Sequence, residues 1–186
     1  MERNKKKVLV LCSGGVDSTA CINYYINTGF DVTGFFINYG QASKNNESLS
    51  VKKVSSFYGI KLESATFCAA KEFGKGKIQG RNGFLIMAAL LSNPGFQGLI
   101  SLGIHSGTPY YDCSPSFVQS LNSIIEEYTE GKIKLDVPFL TWDKKMIYDF
   151  CKDENIPIHL TYSCERGGHK PCGRCLSCLD RSALGW

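Results

Sequence analysis

Lys7-Val8-Leu9-Val10-Leu11-Cys12-Ser13-Gly14-Gly15-Val16-Asp17-Ser18-Thr19 is the stretch whose reading decides the fold. After the lysine its first half is a short apolar run without polar alternation, the pattern of a strand buried on both faces of a parallel sheet. The run stops at Ser13-Gly14-Gly15. Asp17 to Asn27 then carries Ala20, Cys21, Tyr24 and Tyr25 at helical spacing, with Gly29 as a stop.

A strand that breaks at Ser-Gly-Gly-x-Asp-Ser and enters a helix gathers backbone N–H groups, two hydroxyls and a helix N-terminus around one anion-sized space. Gly14 and Gly15 remove Cβ atoms where the backbone turns sharply, and Ser13 and Ser18 can donate to phosphate oxygens. The bland alternative is a tight turn with an ordinary helix cap, but the intact hexapeptide directly after the first strand favours phosphate. Asp17 would repel a polyphosphate unless a divalent cation lay between them, which assigns it to magnesium, with helix capping as its other reading. The spacing fits neither the Walker loop nor the dinucleotide fingerprint.

Working outward, Asp31–Asn38 reads as a second strand, Lys44–Tyr58 as a helix closing at Gly59, and Ile60–Ala65 as a third strand. Phe84–Leu91 is an apolar helical segment after Arg81-Asn82, and Gly98–Gly103 is the next buried strand. Ser114 and Pro115 open a helix as N-cap and first residue, and Asp143–Asp153 gives another. Alternating strands and helices predict an α/β fold: a parallel sheet with helices on both faces, joined by right-handed crossovers.

The chain's 186 residues suit one domain, with apolar residues at 43% and charged residues at 20%, ordinary globular values. No apolar run approaches a membrane span, and the basic start, Met1 to Lys7, leads into a glycine loop instead of an export-type segment. A net charge of +4 requires no nucleic-acid partner. The one compositional break follows residue 160, which predicts an α/β domain over 1–160 and a Gly-Cys-rich tail over 161–186 packed on it.

Nine cysteines make an odd number, and four of them, Cys164, Cys172, Cys175 and Cys178, crowd into the tail. A reducing cytoplasm with a bound metal explains this better than disulfides. The double Cys-x2-Cys pattern and nearby Gly167, Gly168 and Gly173 let four thiolates converge on one ion, and zinc in a closed structural site is the expectation. An iron–sulfur cluster and unligated thiols are the alternatives. Cys12, Cys21, Cys68, Cys113 and Cys151 lie in or beside apolar segments and read as small core residues, Cys113 least clearly. His105, His159 and His169 are given no acid or base role.

Ser13-Gly14-Gly15-Val16-Asp17-Ser18 resembles the loop of the PP-loop ATP pyrophosphatase superfamily. Asn38-Tyr39-Gly40-Gln41, Gly80-Arg81-Asn82, Tyr111-Asp112-Cys113, Pro138-Phe139-Leu140 with Asp143-Lys144, and Thr161-Tyr162-Ser163-Cys164 through Arg181 narrow the resemblance to the 7-cyano-7-deazaguanine synthase (QueC) family over nearly the whole chain. The resemblance implies cleavage of ATP between its α- and β-phosphates to adenylate the carboxylate of 7-carboxy-7-deazaguanine. Ammonia then gives the amide, and a second activation dehydrates it to the nitrile.

Carried over by position, the resemblance implies that Cys12, Ser13, Gly14, Gly15, Val16, Asp17, Ser18 and Thr19 hold ATP, and that Cys164, Cys172, Cys175 and Cys178 hold zinc. Asp17 and Arg81 are the candidate catalytic residues. An arginine suits charge stabilisation because its fork pairs carboxylates and phosphates two-point, although an arginine at such a position can also be a solvated surface residue. A homodimer is also implied.

Departures from the family pattern concentrate around the substrate walls. The stretch between Phe67 and Gly80 is short and Lys-Gly-rich, Ser43 stands where the family usually has histidine, the segment from His105 to Pro109 is shortened, and the first cysteine gap is one residue shorter. A trimmed pocket motivates an alternative: a compact, defence-associated relative that joins the activated deazaguanine to a protein amine. A non-catalytic, nucleotide-sensing zinc module is a further reading of another class.

Overall fold

The computed structural model describes residues 5–67, 73 and 78–185. Cys68, and most of the stretch between Phe67 and Gly80, lie outside the described residues.

Five parallel strands form one sheet in the order β3-β2-β1-β4-β5: β1 Lys7–Leu11, β2 Asp31–Asn38, β3 Lys61–Thr66, β4 Gly98–Leu102 and β5 Ile133–Asp136. The chain leaves β1 towards β2 and later returns to its other side with β4. The strand order therefore reverses beside β1, where open α/β sheets form a crevice at their carboxyl ends.

Alternate residues of β1 serve opposite faces. Val8 and Val10 pack with Ala20, Ile22 and Tyr25 of α1 (Val16–Asn27), Val51 and Val54 of α2 (Lys44–Tyr58), and Ile147 and Cys151 of α5 (Lys144–Asp153). Leu9 and Leu11 pack with Ile86 and Ala89 of α3 (Arg81–Ser92) and Phe117, Leu121 and Ile125 of α4 (Pro115–Thr129). Helices thus cover both faces, and the apolar run of β1 is buried throughout, as a two-sided parallel strand requires.

The helix ends follow local chemistry. Ser114 accepts from the Phe117 N–H with Pro115 at the first helical position, and Asp143 accepts from the Met146 N–H. Gly59 closes α2 in the left-handed conformation.

Two expectations change. Helix α3 begins at Arg81 itself, so Arg81 and Asn82 belong to its first turn. β5 also forms where the sequence reading named no strand. Ile133-Lys-Leu-Asp136 is only four residues long, too short for its alternation to stand out, yet Ile133 and Leu135 are buried. In the tail, α6 (Leu176–Ala183) starts directly after Cys175.

Candidate active site

The crevice beside β1 is a cleft of about 370 Å³. The β1–α1 loop forms its floor, with Cys12, Ser13, Gly15, Val16, Asp17 and Ser18 on the lining. Gly14 and Thr19 are not among the lining residues. Gly14 has φ +73, and a Cβ there would stand 2.8 Å from Ser50 Cβ and 2.9 Å from the Glu47 carbonyl oxygen, so only glycine fits between loop and α2. The Gly14 carbonyl accepts from Ser50 Oγ at 2.8 Å and from the Tyr162 N–H at 2.8 Å.

Thr19 is fully buried and donates its hydroxyl to the Gly15 carbonyl at 2.9 Å, so it holds the loop from within. Ser18 Oγ donates to the same carbonyl at 3.1 Å, and Ser13 Oγ lies 3.5 Å from Ser18 Oγ. The two hydroxyls converge at the start of α1, where free N–H groups and the helix dipole favour an anion.

Asp17 stands in the first turn of α1, whose N-cap is Gly15, and caps nothing. Lys144, at the start of α5, reaches both its oxygens, at 2.7 and 2.6 Å. The Asp17 carboxylate is therefore paired with an ammonium group. Lys144 sits 127 positions from Asp17, and no local pattern links them.

A second polar wall comes from β2, α2 and α3. Glu47 accepts from Ser43 Oγ and, at 2.7 Å, from Gln41 Nε2. Burial pushes its carboxyl above the ordinary value, while these two donors and Arg81 pull the other way. Burial likewise raises the Tyr39 phenol, which Arg81 opposes. Arg81 and Asn82 both line the cleft, and Arg81 Nε donates to Asn82 Oδ1 at 3.4 Å. Asn82, 2% exposed, is bound to the turn Tyr111–Cys113 through the Asp112 carbonyl at 3.0 Å.

His105 also lines the cleft. Burial holds its imidazole below the ordinary histidine value, and Nδ1 accepts the Gly107 N–H at 3.2 Å, which leaves the proton on Nε2. His159 and His169 are exposed. Cys12, Cys21 and Cys151 are buried thiols, and burial pushes Cys12, which also lines the cleft, and Cys151 up to about 12. Cys113 is buried and raised in the same way, although it lines the cleft.

The tail supplies the remaining wall. Tyr162, Ser163, Glu165, Ser177 and Asp180 all line the cleft. Asn46 of α2 donates to the carbonyls of Gly167 at 3.0 Å and Gly168 at 3.1 Å, and Tyr162 OH donates to Gly168 at 2.9 Å. Ligand atoms of Cys164, Cys172, Cys175 and Cys178 all lie within 4.8 Å of one another, so the four cysteines can hold a metal ion. Among the described residues, no helix is long and apolar enough to cross a membrane.

A parallel sheet with a glycine-serine loop at its switch point and a four-cysteine cluster near the C-terminus defines a PP-loop ATPase-like α/β protein. The family model for "Queuosine biosynthesis protein QueC" matches residues 7–78 and 64–184, and the chain belongs to the QueC family.

It is similar to 7-cyano-7-deazaguanine synthases from Sulfurimonas denitrificans (29% identity, 97% of this chain and 93% of the relative) and Acetivibrio thermocellus (27%; 95% and 91%). With the synthase of Sulfolobus acidocaldarius it shares 26% identity over 97% of its own length but spans only 46% of that relative. Among solved structures, its fold is similar to the U34-tRNA thiolase NcsA from Methanococcus maripaludis with its [4Fe-4S] cluster. That match has TM-score 0.59 and 15% identity, over 98% of this chain and 65% of that one. NMN synthetase from Francisella tularensis is also similar (TM-score 0.53, 14%; 97% and 77%).

Proposed function

We propose that the protein is an ATP-dependent carbon–nitrogen ligase that adenylates the carboxylate of 7-carboxy-7-deazaguanine and passes the acyl group to ammonia. The observation that carries this reading is the meeting, in one cleft, of an anion loop with Lys144 and a separate polar wall around Arg81, in a chain of the QueC family.

ATP phosphates rest on Ser13, Ser18 and the N–H groups that open α1, with Lys144 supplying positive charge. A substrate carboxylate oxygen attacks the α-phosphorus, the bond to the bridging oxygen breaks, and pyrophosphate leaves. The mixed anhydride makes AMP the leaving group when ammonia attacks the acyl carbon, yielding the amide. Arg81 is the candidate to pair with the substrate carboxylate, and the chain's part is mainly positioning and charge stabilisation.

Magnesium, when bound with ATP, would neutralise phosphate charge. Asp17 is the residue to hold it, by giving up at least one contact to Lys144. For the four thiols, the fit favours zinc. A tetrahedron with bonds of about 2.3 Å has edges of about 3.8 Å, and Cys172 and Cys178 Sγ stand 4.0 Å apart. A four-iron cluster, with ligands outside a cube, needs a wider cage. Zinc here would fix the tail, residues 161–186, against the α/β part, residues 1–160. A cytoplasmic homodimer is part of the same reading.

Purified protein with ATP, magnesium and 7-carboxy-7-deazaguanine should release pyrophosphate; no release with the deazaguanine defeats the reading. Product mass then separates amide, nitrile and a conjugate to a protein amine. Metal analysis should give about one zinc per chain, and iron with a visible absorption band would replace zinc by a cluster.

A further inference from the structure

The charged groups of the cleft form two neighbourhoods. Those acting on His105 are Asp17, Lys144, Asp180 and Asp143, on the side of the phosphate loop. Those facing Cys113 are Asp112 and Arg81, beside the neutral Asn82 and Thr108, and Arg81 also acts on Tyr39 and Glu47. The second neighbourhood contains two carboxylates, Asp112 and Glu47.

These two carboxylates are not equivalent. Both oxygens of Glu47 already accept hydrogen bonds, one from Ser43 and one from Gln41. Asp112 uses only Oδ2, which accepts the Asn82 N–H at 3.3 Å. Its Oδ1 accepts no hydrogen bond from any described residue. The turn that carries it is fixed by Asn82 Nδ2 on the Asp112 carbonyl, so the carboxylate is held at the cleft wall.

An ionised carboxylate is acceptor-only and suits a ligand edge that presents adjacent donors. A guanine-type base has such an edge in N1–H and the 2-amino group. Adenine, the other base that enters this cleft, offers an acceptor at N1.

We infer that Asp112 is the specificity residue for the guanine-type edge, accepting from N1–H and the 2-amino group of the substrate base. The assignment rests on the deazaguanine reading above. It places the base against the Tyr111–Cys113 turn and the start of α3, away from the phosphate loop. Nothing local in the sequence distinguishes Asp112 from a carboxylate that only binds a helix start.

The test compares 7-carboxy-7-deazaguanine with its analogue lacking the 2-amino group, by calorimetric binding to the wild type, Asp112→Asn and Asp112→Ser. Asp112→Asn keeps an oxygen at the same reach for the Asn82 N–H, Asp112→Ser removes the carboxylate altogether, and ATP binding serves as the control for folding. The wild type should prefer the 2-amino compound by at least about tenfold, the worth of a hydrogen bond to a charged group. In the variants that preference should collapse through weaker binding of the 2-amino compound, with the analogue and ATP little changed.

Equal binding of the two compounds by the wild type, or undiminished preference in either folded variant, overturns the assignment. Pyrophosphate release by the wild type separates the two levels. With release intact, retained preference removes Asp112 alone; without release, the function proposed above falls first.

Discussion

The phosphate loop and the cysteine tail wall the same cleft, yet they are held by different forces. Around the loop, Cys12, Gly14, Val16, Ser18 and Thr19 are buried, and the Gly14 and Gly15 carbonyls are tied to the elements behind them. Between residues 161 and 185 only Cys164 and Cys178 are buried. Two thiols exclude too little apolar surface to offset the ordering of so long a segment. The loop is shaped by the sheet, whereas the tail, on the function proposed above, is held by the ion its four cysteines can bind.

Stripping the metal, or Cys164→Ser, tests this difference most strongly. In small peptides structural zinc contributes about 10 kcal/mol or more to folding. The expected result is loss of amide-exchange protection across the tail, loss of catalysis, and retained protection in β1 and α1. Protection lost equally from tail and loop would show that the two regions are one cooperative unit.

Lys144→Ala acts next, and on the loop alone. It leaves the Asp17 carboxylate facing bound phosphates without its ammonium partner. ATP affinity should fall about tenfold to a hundredfold, as for a lost hydrogen bond between charged groups. The tail and its metal content should not change. If magnesium on Asp17 already supplies the positive charge, the loss shrinks to less than about threefold.

Gly167→Ala probes the joint between the regions. Gly167 has φ +69, and a Cβ there would meet the Ala42 carbonyl oxygen at 2.0 Å. Thermal melting should show a destabilisation of about 1–3 kcal/mol, with Asn46 losing its hold on Gly167 and Gly168. Unchanged melting would mean that the tail does not rest on the β2–α2 loop.

The same contrast governs what was legible in the sequence. β1 and the loop announce themselves because backbone geometry demands glycine and apolar residues at fixed local positions, and the four cysteines announce themselves by spacing. Lys144, Glu47 and His105 do not. Each belongs to the cleft only because distant elements meet there, and a lysine at a helix start or a glutamate in a polar helix has many ordinary uses. Thr19 stands in the motif, yet its hydroxyl turns inward to the Gly15 carbonyl, a direction that spacing does not reveal. β5 was missed because tertiary burial, not local pattern, makes it a strand.

Helix α2 joins the two regions, with Asn46 on the tail, Ser50 on the loop and Glu47 between them, and here the smallest effect is expected. Burial raises the Glu47 carboxyl above its ordinary 4.5, so the folded state holds this proton more tightly than the unfolded one. Stability from this group is therefore greatest below 4.5 and declines as pH rises through the raised folded value. The decline amounts to about 1.4 kcal/mol for each pH unit that separates the folded from the unfolded titration. In Glu47→Gln that decline is absent, so the variant should gain on the wild type as pH rises above 4.5 and level off once pH has passed the raised folded value. Denaturant unfolding of both proteins across that range measures it. A difference independent of pH would mean that Ser43, Gln41 and Arg81 fully offset the burial, and that α2 carries no charge penalty where loop and tail meet.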